Sequence, residues 1–296
     1  MIVLTLLFAC SKTDTDTEAT CAVTFTTSIA DGATDVPGNA SVVVALSESA
    51  EVTLTGSIPG TTTATADGRT LTWSPNAPAD ANSALSLTID SCNGTSTIGW
   101  QTSDLGATPT DVDLTRTGFR VDLASGTIVQ PISGPALFEF LSGQGTEVLV
   151  GLLSNTSPGY RLAVAKDGVQ DLCSRTLDVT GGTLDRGWFS FGPADATFYV
   201  YDNLVELHDL SFGGGLSADG TRVGAAWVKA WVGVEPLAAT YADGDIDAAC
   251  EYFGSLQVPC VPCPSGDGQC LAIDVRDLSG TATGTPIDAI TEACPE

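Results

Sequence analysis

Short apolar runs broken by tight-turn dipeptides are what most restrict the fold open to this chain. Asp67-Gly68, Asn93-Gly94 and Asp219-Gly220 each stand between segments rich in Val, Thr, Leu and aromatic residues. Side chains on a strand point alternately to its two faces, so alternation between turn signals marks half-buried strands rather than helices. The runs at 21–27 and 41–46 have strand composition. At 51–55, Val52 and Leu54 share one face; at 85–89, Leu85, Leu87 and Ile89 do the same. The arms 61–66 and 69–73 flank Asp67-Gly68, a pair suited to the positive φ angles of a type I′ hairpin. A closing strand passes through Ile98 and Trp100. Some seven short strands in residues 21–104 predict a two-sheet sandwich.

Beyond a linker at 105–110 (Gly106-Ala107-Thr108-Pro109-Thr110 at its centre), β character continues through 111–296 with longer segments. Strands are predicted at 118–123, 147–154, 160–165, 176–179 and 197–201. A long hairpin, 207–216 and 222–234, turns at Asp219-Gly220. Strands this long suggest a meander curling into an antiparallel β-barrel or a deep β-sandwich. Gly213-Gly214-Gly215 within the first arm predicts a bulge or sharp bend. One short helix is predicted over 245–254, where Ile246, Ala249, Cys250 and Phe253 recur at helical spacing before Gly254. A weaker helical pattern covers 135–141. The fold class expected from pattern is therefore mainly β: a two-sheet sandwich, then a larger antiparallel β domain with one short helix.

Two stretches carry resemblances. Ser28-Ile29-Ala30-Asp31-Gly32-Ala33-Thr34-Asp35-Val36-Pro37, Val42-Val43-Val44, Asp67 through Pro75, and Trp100-Gln101-Thr102 occur in the order found in bacterial Ig-like domains of the S-layer (SbsA) type, which residues 21–104 resemble. Such modules serve as spacers and adhesive or structural units of surface proteins, so the resemblance implies a display role and no catalytic residue. Within it, Asp31 is placed to cap backbone amides near the turn shaped by Gly32 and Pro37. The second domain resembles only uncharacterised C-terminal modules of lipoproteins from delta-type bacteria, a likeness that implies no function.

At the N-terminus, residues 2–8 form an apolar run interrupted only by Thr5. It is too short to span a bilayer, which takes about 20 residues, and fits the hydrophobic core of a secretory signal. Leu7, Ala9 and Cys10 resemble the lipobox of bacterial lipoproteins. That resemblance implies cleavage of 1–10 before Cys10, acylation of its thiol, and a membrane anchor through the acyl chains. Residues 11–20 hold almost nothing to bury and predict a solvated acidic tether. Ser11, in place of Asp, resembles lipoproteins sent on to an outer membrane. The expected location is thus exported and lipid-anchored at the outer membrane or cell surface.

Composition narrows the partners. With 36 acidic against 11 basic residues and a net charge of −25, the chain repels phosphate backbones and anionic headgroups. Nucleic acid is excluded as a partner; other surface proteins or polysaccharide are candidates. Mean hydropathy of +0.20 supports packed cores. If Cys10 carries lipid, eight of the nine cysteines remain: Cys21, Cys92, Cys173, Cys250, Cys260, Cys263, Cys270 and Cys294. An even number in an exported chain predicts disulfides. A Cys21–Cys92 pair would close a long loop and stabilise by about 2–4 kcal/mol. Among the six cysteines of the second domain 15 pairings are open.

Motifs for chemistry are weak. Cys260-Val261-Pro262-Cys263 with Cys270 suggests zinc, with Cys250 or Cys294 as fourth ligand, but disulfide staples fit an exported chain better. Asp243-Gly244-Asp245-Ile246-Asp247 fails the calcium-loop template, since Ala248 stands where glycine is required; acidic residues opening a helix are the simpler reading. His208, the single histidine, neighbours Asp209, yet no Gly-x-Ser-x-Gly elbow accompanies it. No phosphate-binding glycine loop occurs. The expectation is a non-enzymatic protein with no cofactor, metal site or catalytic residue. Among the aromatics, Trp188, Phe191, Tyr199, Tyr201, Trp227 and Trp231 could line an apolar or carbohydrate pocket of a lipocalin-like carrier; packing into a core is the alternative.

Overall fold

The computed structural model describes residues 23–109, 113–130, 147–154, 158–200 and 203–292. The signal, Cys10, the tether, Cys21, Cys294 and the weaker helix at 135–141 lie outside them. Eight strands build the first domain: β1 (Phe25–Thr27), β2 (Ala33–Val36), β3 (Val42–Leu46), β4 (Thr53–Gly56), β5 (Gly60–Ala64), β6 (Thr70–Pro75), β7 (Ala84–Ser91) and β8 (Gly94–Thr102). They form two four-stranded sheets, ordered β1-β3-β6-β5 and β2-β8-β7-β4. Apart from β2, which pairs in parallel with β8, this is the strand division of immunoglobulin sandwiches. Val42, Val44, Trp73, Leu87, Ile89 and Trp100 fill the space between the sheets. The Trp73 and Trp100 rings meet edge to face, 6.4 Å apart. The short β2 has no alternation to betray it, and Asp35 within it has a φ of 62°.

The second domain contains β9 (Gly118–Asp122), β10 (Thr127–Gln130), β11 (Glu147–Leu152), β12 (Gly159–Lys166), β13 (Val169–Gln170), β14 (Leu177–Thr180), β15 (Thr183–Asp185), β16 (Trp188–Val200), β17 (Asn203–Leu216) and β18 (Arg222–Gly233). Two helices follow, α1 (Val234–Tyr241) and α2 (Ile246–Ser255), then β19 (Val261–Pro262) and β20 (Gln269–Ala282). All twelve strands belong to one antiparallel sheet whose path runs from β12 through β11, β9, β20, β18 and β17 to β16. At its ends β14 pairs with β12 and β15 with β16. Only Gly181 and Gly182 separate β14 from β15, and Tyr160 of β12 stacks with Phe189 and Phe191 of β16, so the sheet curls until its ends face each other as a barrel whose ends no described strand pairing joins.

The interior is filled. Tyr160 of β12, Phe189 and Phe191 of β16 and Phe212 of β17 stack, the closest pair of rings 5.0 Å apart. Phe119, Val121 and Leu278 pack with them, and a gap of about 20 Å³ is the cavity beneath. The three glycines of β17 do mark irregular pairing, with a register shift between Gly213 and Gly215. They also lie under large neighbours: a Cβ on Gly213 would come within 2.9 Å of the Trp227 ring.

Three expectations need correction. The domain has two helices rather than one. The unpredicted α1 continues directly from β18 with no side-chain cap at Gly233, and Pro236 sits in its first turn, where no amide partner is needed. The 14-residue β20 was also not predicted. Bulges at Ala225 of β18 and Asp277 of β20, both at positive φ, shift the register of the pair, and the one at Asp277 breaks the two-residue period of β20. Finally, the Asp67-Gly68 turn is not type I′, because only Gly68 has positive φ. Its amide bonds to Thr65 O at 2.9 Å, giving a type I turn with a glycine bulge.

The interdomain stretch lies against the barrel. Leu105 bridges to Ser217, the Gly106 amide donates to Leu216 O at 2.8 Å, and Arg222 pairs with Asp104 at 2.6 Å. Arg186 reaches back to Asp80 of the sandwich at 2.9 Å.

Candidate functional site

Chemistry-bearing side chains converge where β17, β18 and β20 meet the two helices. His208 lies on β17 opposite Trp231 of β18, and Gly233 at the end of β18 pairs with Cys270 of β20. Cys263 follows β19, whose pairing with β20 sets Val261 against Cys270. That hairpin brings Cys263 back to Cys270, and the two are joined in a disulfide with Cα atoms 5.0 Å apart. Ligand atoms of His208, Cys263 and Cys270 all lie within 4.8 Å of one another. Among the described residues this is the one set of three metal-ligating side chains so close. Both sulfurs are buried and the imidazole is 30% exposed.

The imidazole lies between Asp195 and Gly233. Its Nδ1 lies 3.8 Å from Asp195 Oδ1, and that carboxylate accepts from the Asp209 amide at 3.2 Å. Its Nε2 faces Gly233, 3.7 Å from where a Cβ would stand. The carboxylate partner is thus Asp195, across the β16–β17 pair, and not the adjacent Asp209. Sequence could not find this contact, since it depends on two bulged strands coming into register. No serine hydroxyl joins the imidazole and carboxylate in the described contacts.

The neighbouring cysteines are staples. Cys250 of α2 bonds Cys260 just before β19, and Cys92 and Cys173 are disulfide-bonded as well. All six described cysteines are therefore oxidised, in keeping with the staple reading and against a zinc set drawn from Cys250, Cys260, Cys263 and Cys270. The acidic stretch before α2 works as a cap: Asp245 accepts from the Ala248 amide at 3.0 Å and Asp247 lies in the first turn.

No family model matches this chain, and no curated protein matches it.

Of the six aromatics of the candidate pocket, the four with described side chains, Trp188, Phe191, Trp227 and Trp231, are divided between core and surface. Phe191 is 3% exposed within the core stack. Trp188 is half-buried at the seam with the interdomain stretch, its Nε1 buried without an acceptor. Trp227 and Trp231 are half-buried on β18, with Lys229 Nζ 6.0 Å from the Trp227 ring. Tyr201 and the Tyr199 side chain lie outside the described residues. Two clefts of mixed polar and apolar lining lie elsewhere. One of about 390 Å³ is lined by Arg120, Gln170, Thr283 and Ile287. Another of about 640 Å³, at the seam between the domains, is lined by Pro37, Arg120, Glu147, Arg222 and Asp277. Arg120 borders both and pairs with Glu147 at 3.5 Å.

Electrostatics elsewhere are those of strand-surface pairs. Arg276 grips the buried Asp274 through two nitrogens at 3.0 and 2.9 Å, and Asp274 holds its guanidinium charge above the usual range. Asp178 does the same for Arg161.

Proposed function

We propose that this chain is a non-enzymatic, lipid-anchored envelope or surface protein, in which an Ig-like spacer holds a disulfide-stapled barrel away from the membrane. The observation that carries the reading is the filled barrel joined without slack to an immunoglobulin-type sandwich. A barrel interior occupied by stacked Tyr160, Phe189, Phe191 and Phe212 leaves outer surface, not lumen, for partners. The oxidised cysteines support export, since disulfides persist outside reducing compartments. The filled interior weighs against the lipocalin-like alternative, which needs a lumen. Partners on this reading are surface proteins or polysaccharide, and the acyl chains on Cys10 supply the membrane attachment that an acidic surface cannot.

Expression of the full chain in a bacterium with an outer membrane, followed by fractionation and intact mass, tests the anchor. The wild type is expected in the membrane fraction with Cys10 acylated, and Cys10→Ala in the soluble fraction or still carrying its signal. A wild-type chain found soluble and unacylated would sink the proposal.

A further inference from the structure

We propose that Cys263, Cys270 and His208 make a site for a thiophilic divalent cation, zinc above all, that opens when the Cys263–Cys270 disulfide is reduced. This goes beyond a display role and does not depend on the anchor at Cys10. Three donors of the type zinc prefers already lie within 4.8 Å of one another, so binding calls for no large backbone movement. Two thiolates and one imidazole are a known kind of zinc shell, with the fourth position left for water or another ligand. In the oxidised protein the sulfurs are tied to each other, and it is the thiolate that ligates.

A carboxylate stands beside His208, as beside many metal-bound histidines. Such a ligand commonly gives its second nitrogen to a carboxylate, which fixes the ring and its tautomer. Here Asp195 Oδ1 lies 3.8 Å from Nδ1, longer than a hydrogen bond but close enough to become one on a small side-chain turn, and Nε2 lies on the side of Gly233, the register partner of Cys270. Glu206 Oε2 lies 3.5 Å from the same point at Gly233 that Nε2 approaches to 3.7 Å, which puts an oxygen donor on that side. Cys250 and Cys260, bonded to each other, stay outside the set.

The chemistry balances with a dithiol as reductant. Its two sulfurs close into a disulfide as the Cys263–Cys270 bond breaks, and two electrons and two protons pass to the protein. Zinc then displaces both thiol protons, and His208 ligates in its neutral form. Zinc should therefore draw the equilibrium toward the reduced pair and shield the sulfurs from alkylation.

The test compares the full chain with His208→Ala, each titrated with a dithiol with and without zinc, then alkylated and mapped by mass spectrometry. In the wild type, zinc is expected to protect Cys263 and Cys270 from alkylation and to lower the dithiol needed for their reduction. Cobalt added to the reduced protein should give thiolate charge-transfer and tetrahedral absorption at one equivalent, removed by zinc. The His208→Ala chain, with an oxidised circular dichroism spectrum matching wild type as its fold control, should bind at least about tenfold more weakly. Equal protection in the two chains would mean nonspecific thiol binding and overturn the site. Thiols that zinc leaves open to alkylation, whether or not the reduced chain keeps its circular dichroism, overturn it equally.

Discussion

Asp67 and Asp219 do the same work in the two domains. In Thr65-Ala66-Asp67-Gly68-Arg69-Thr70, Asp67 Oδ1 accepts from Thr65 Oγ1 and the Arg69 amide. In Ser217-Ala218-Asp219-Gly220-Thr221-Arg222, Asp219 Oδ1 accepts from Ser217 Oγ and from the amide and hydroxyl of Thr221. These bonds favour the charged carboxylate. Led by the Ser217 hydroxyl, they pull Asp219 from 3.8 down to about 2, and the Thr65 hydroxyl leads a similar lowering of Asp67. A carboxyl depressed in the folded state stabilises above its unfolded pKa and loses that contribution as pH falls through the folded one. Asp219→Ala should therefore be less stable than wild type at neutral pH, with the gap closing between pH 3.8 and about 2; acid denaturation curves of the pair check this. Tyr160 has the opposite sign. Burial pushes its phenol well above the usual value of 10.0, so the stability it contributes is present below pH 10 and lost above it. Alkaline titration should show its ionisation arriving together with unfolding, and Tyr160→Phe should remove that step.

Among the elements, β16 and β17 supply most of the barrel's aromatic stack, and Phe212 is 1% exposed at its centre. Phe212→Ala leaves a void between Phe189, Phe191 and the opposite wall. A loss of about 3–5 kcal/mol is expected from denaturant midpoints; a loss below about 1 kcal/mol would mean that the barrel can collapse around the gap. The interdomain stretch makes its closest approach to the second domain at one backbone position. Gly106 has a φ of 82°, and a Cβ there would come within 1.9 Å of Trp188 Nε1. Gly106→Ala should lift this stretch from β17, seen as a red shift in tryptophan emission and a larger radius of gyration in solution scattering.

At the scale of the whole molecule, the two domains are tied by backbone bonds at Leu105 and Gly106 and by exposed ion pairs at Asp104–Arg222 and Asp80–Arg186. The ion pairs add little, about 0.2–1 kcal/mol each at exposed sites. Arg186→Ala is accordingly expected to leave the scattering profile unchanged, whereas Gly106→Ala alters it. That contrast separates a docked joint from one held by surface charge.

Local pattern in the sequence was enough for the β class, the sandwich, most strands of both domains and the helix that Asp245 caps, because alternation and turn residues act over a few positions. Tertiary structure decided the rest. The bulge at Asp277 interrupts any two-residue period in β20, yet β20 lies at the middle of the sheet. The curl that brings the sheet's ends together at Gly181-Gly182, and the division of aromatics between core and seam, follow from how distant strands pack. The meeting of His208 with Cys263, Cys270 and Asp195 has the same origin. Those residues come from β16, β17 and the β19–β20 hairpin, and only strand register brings them within reach of one another.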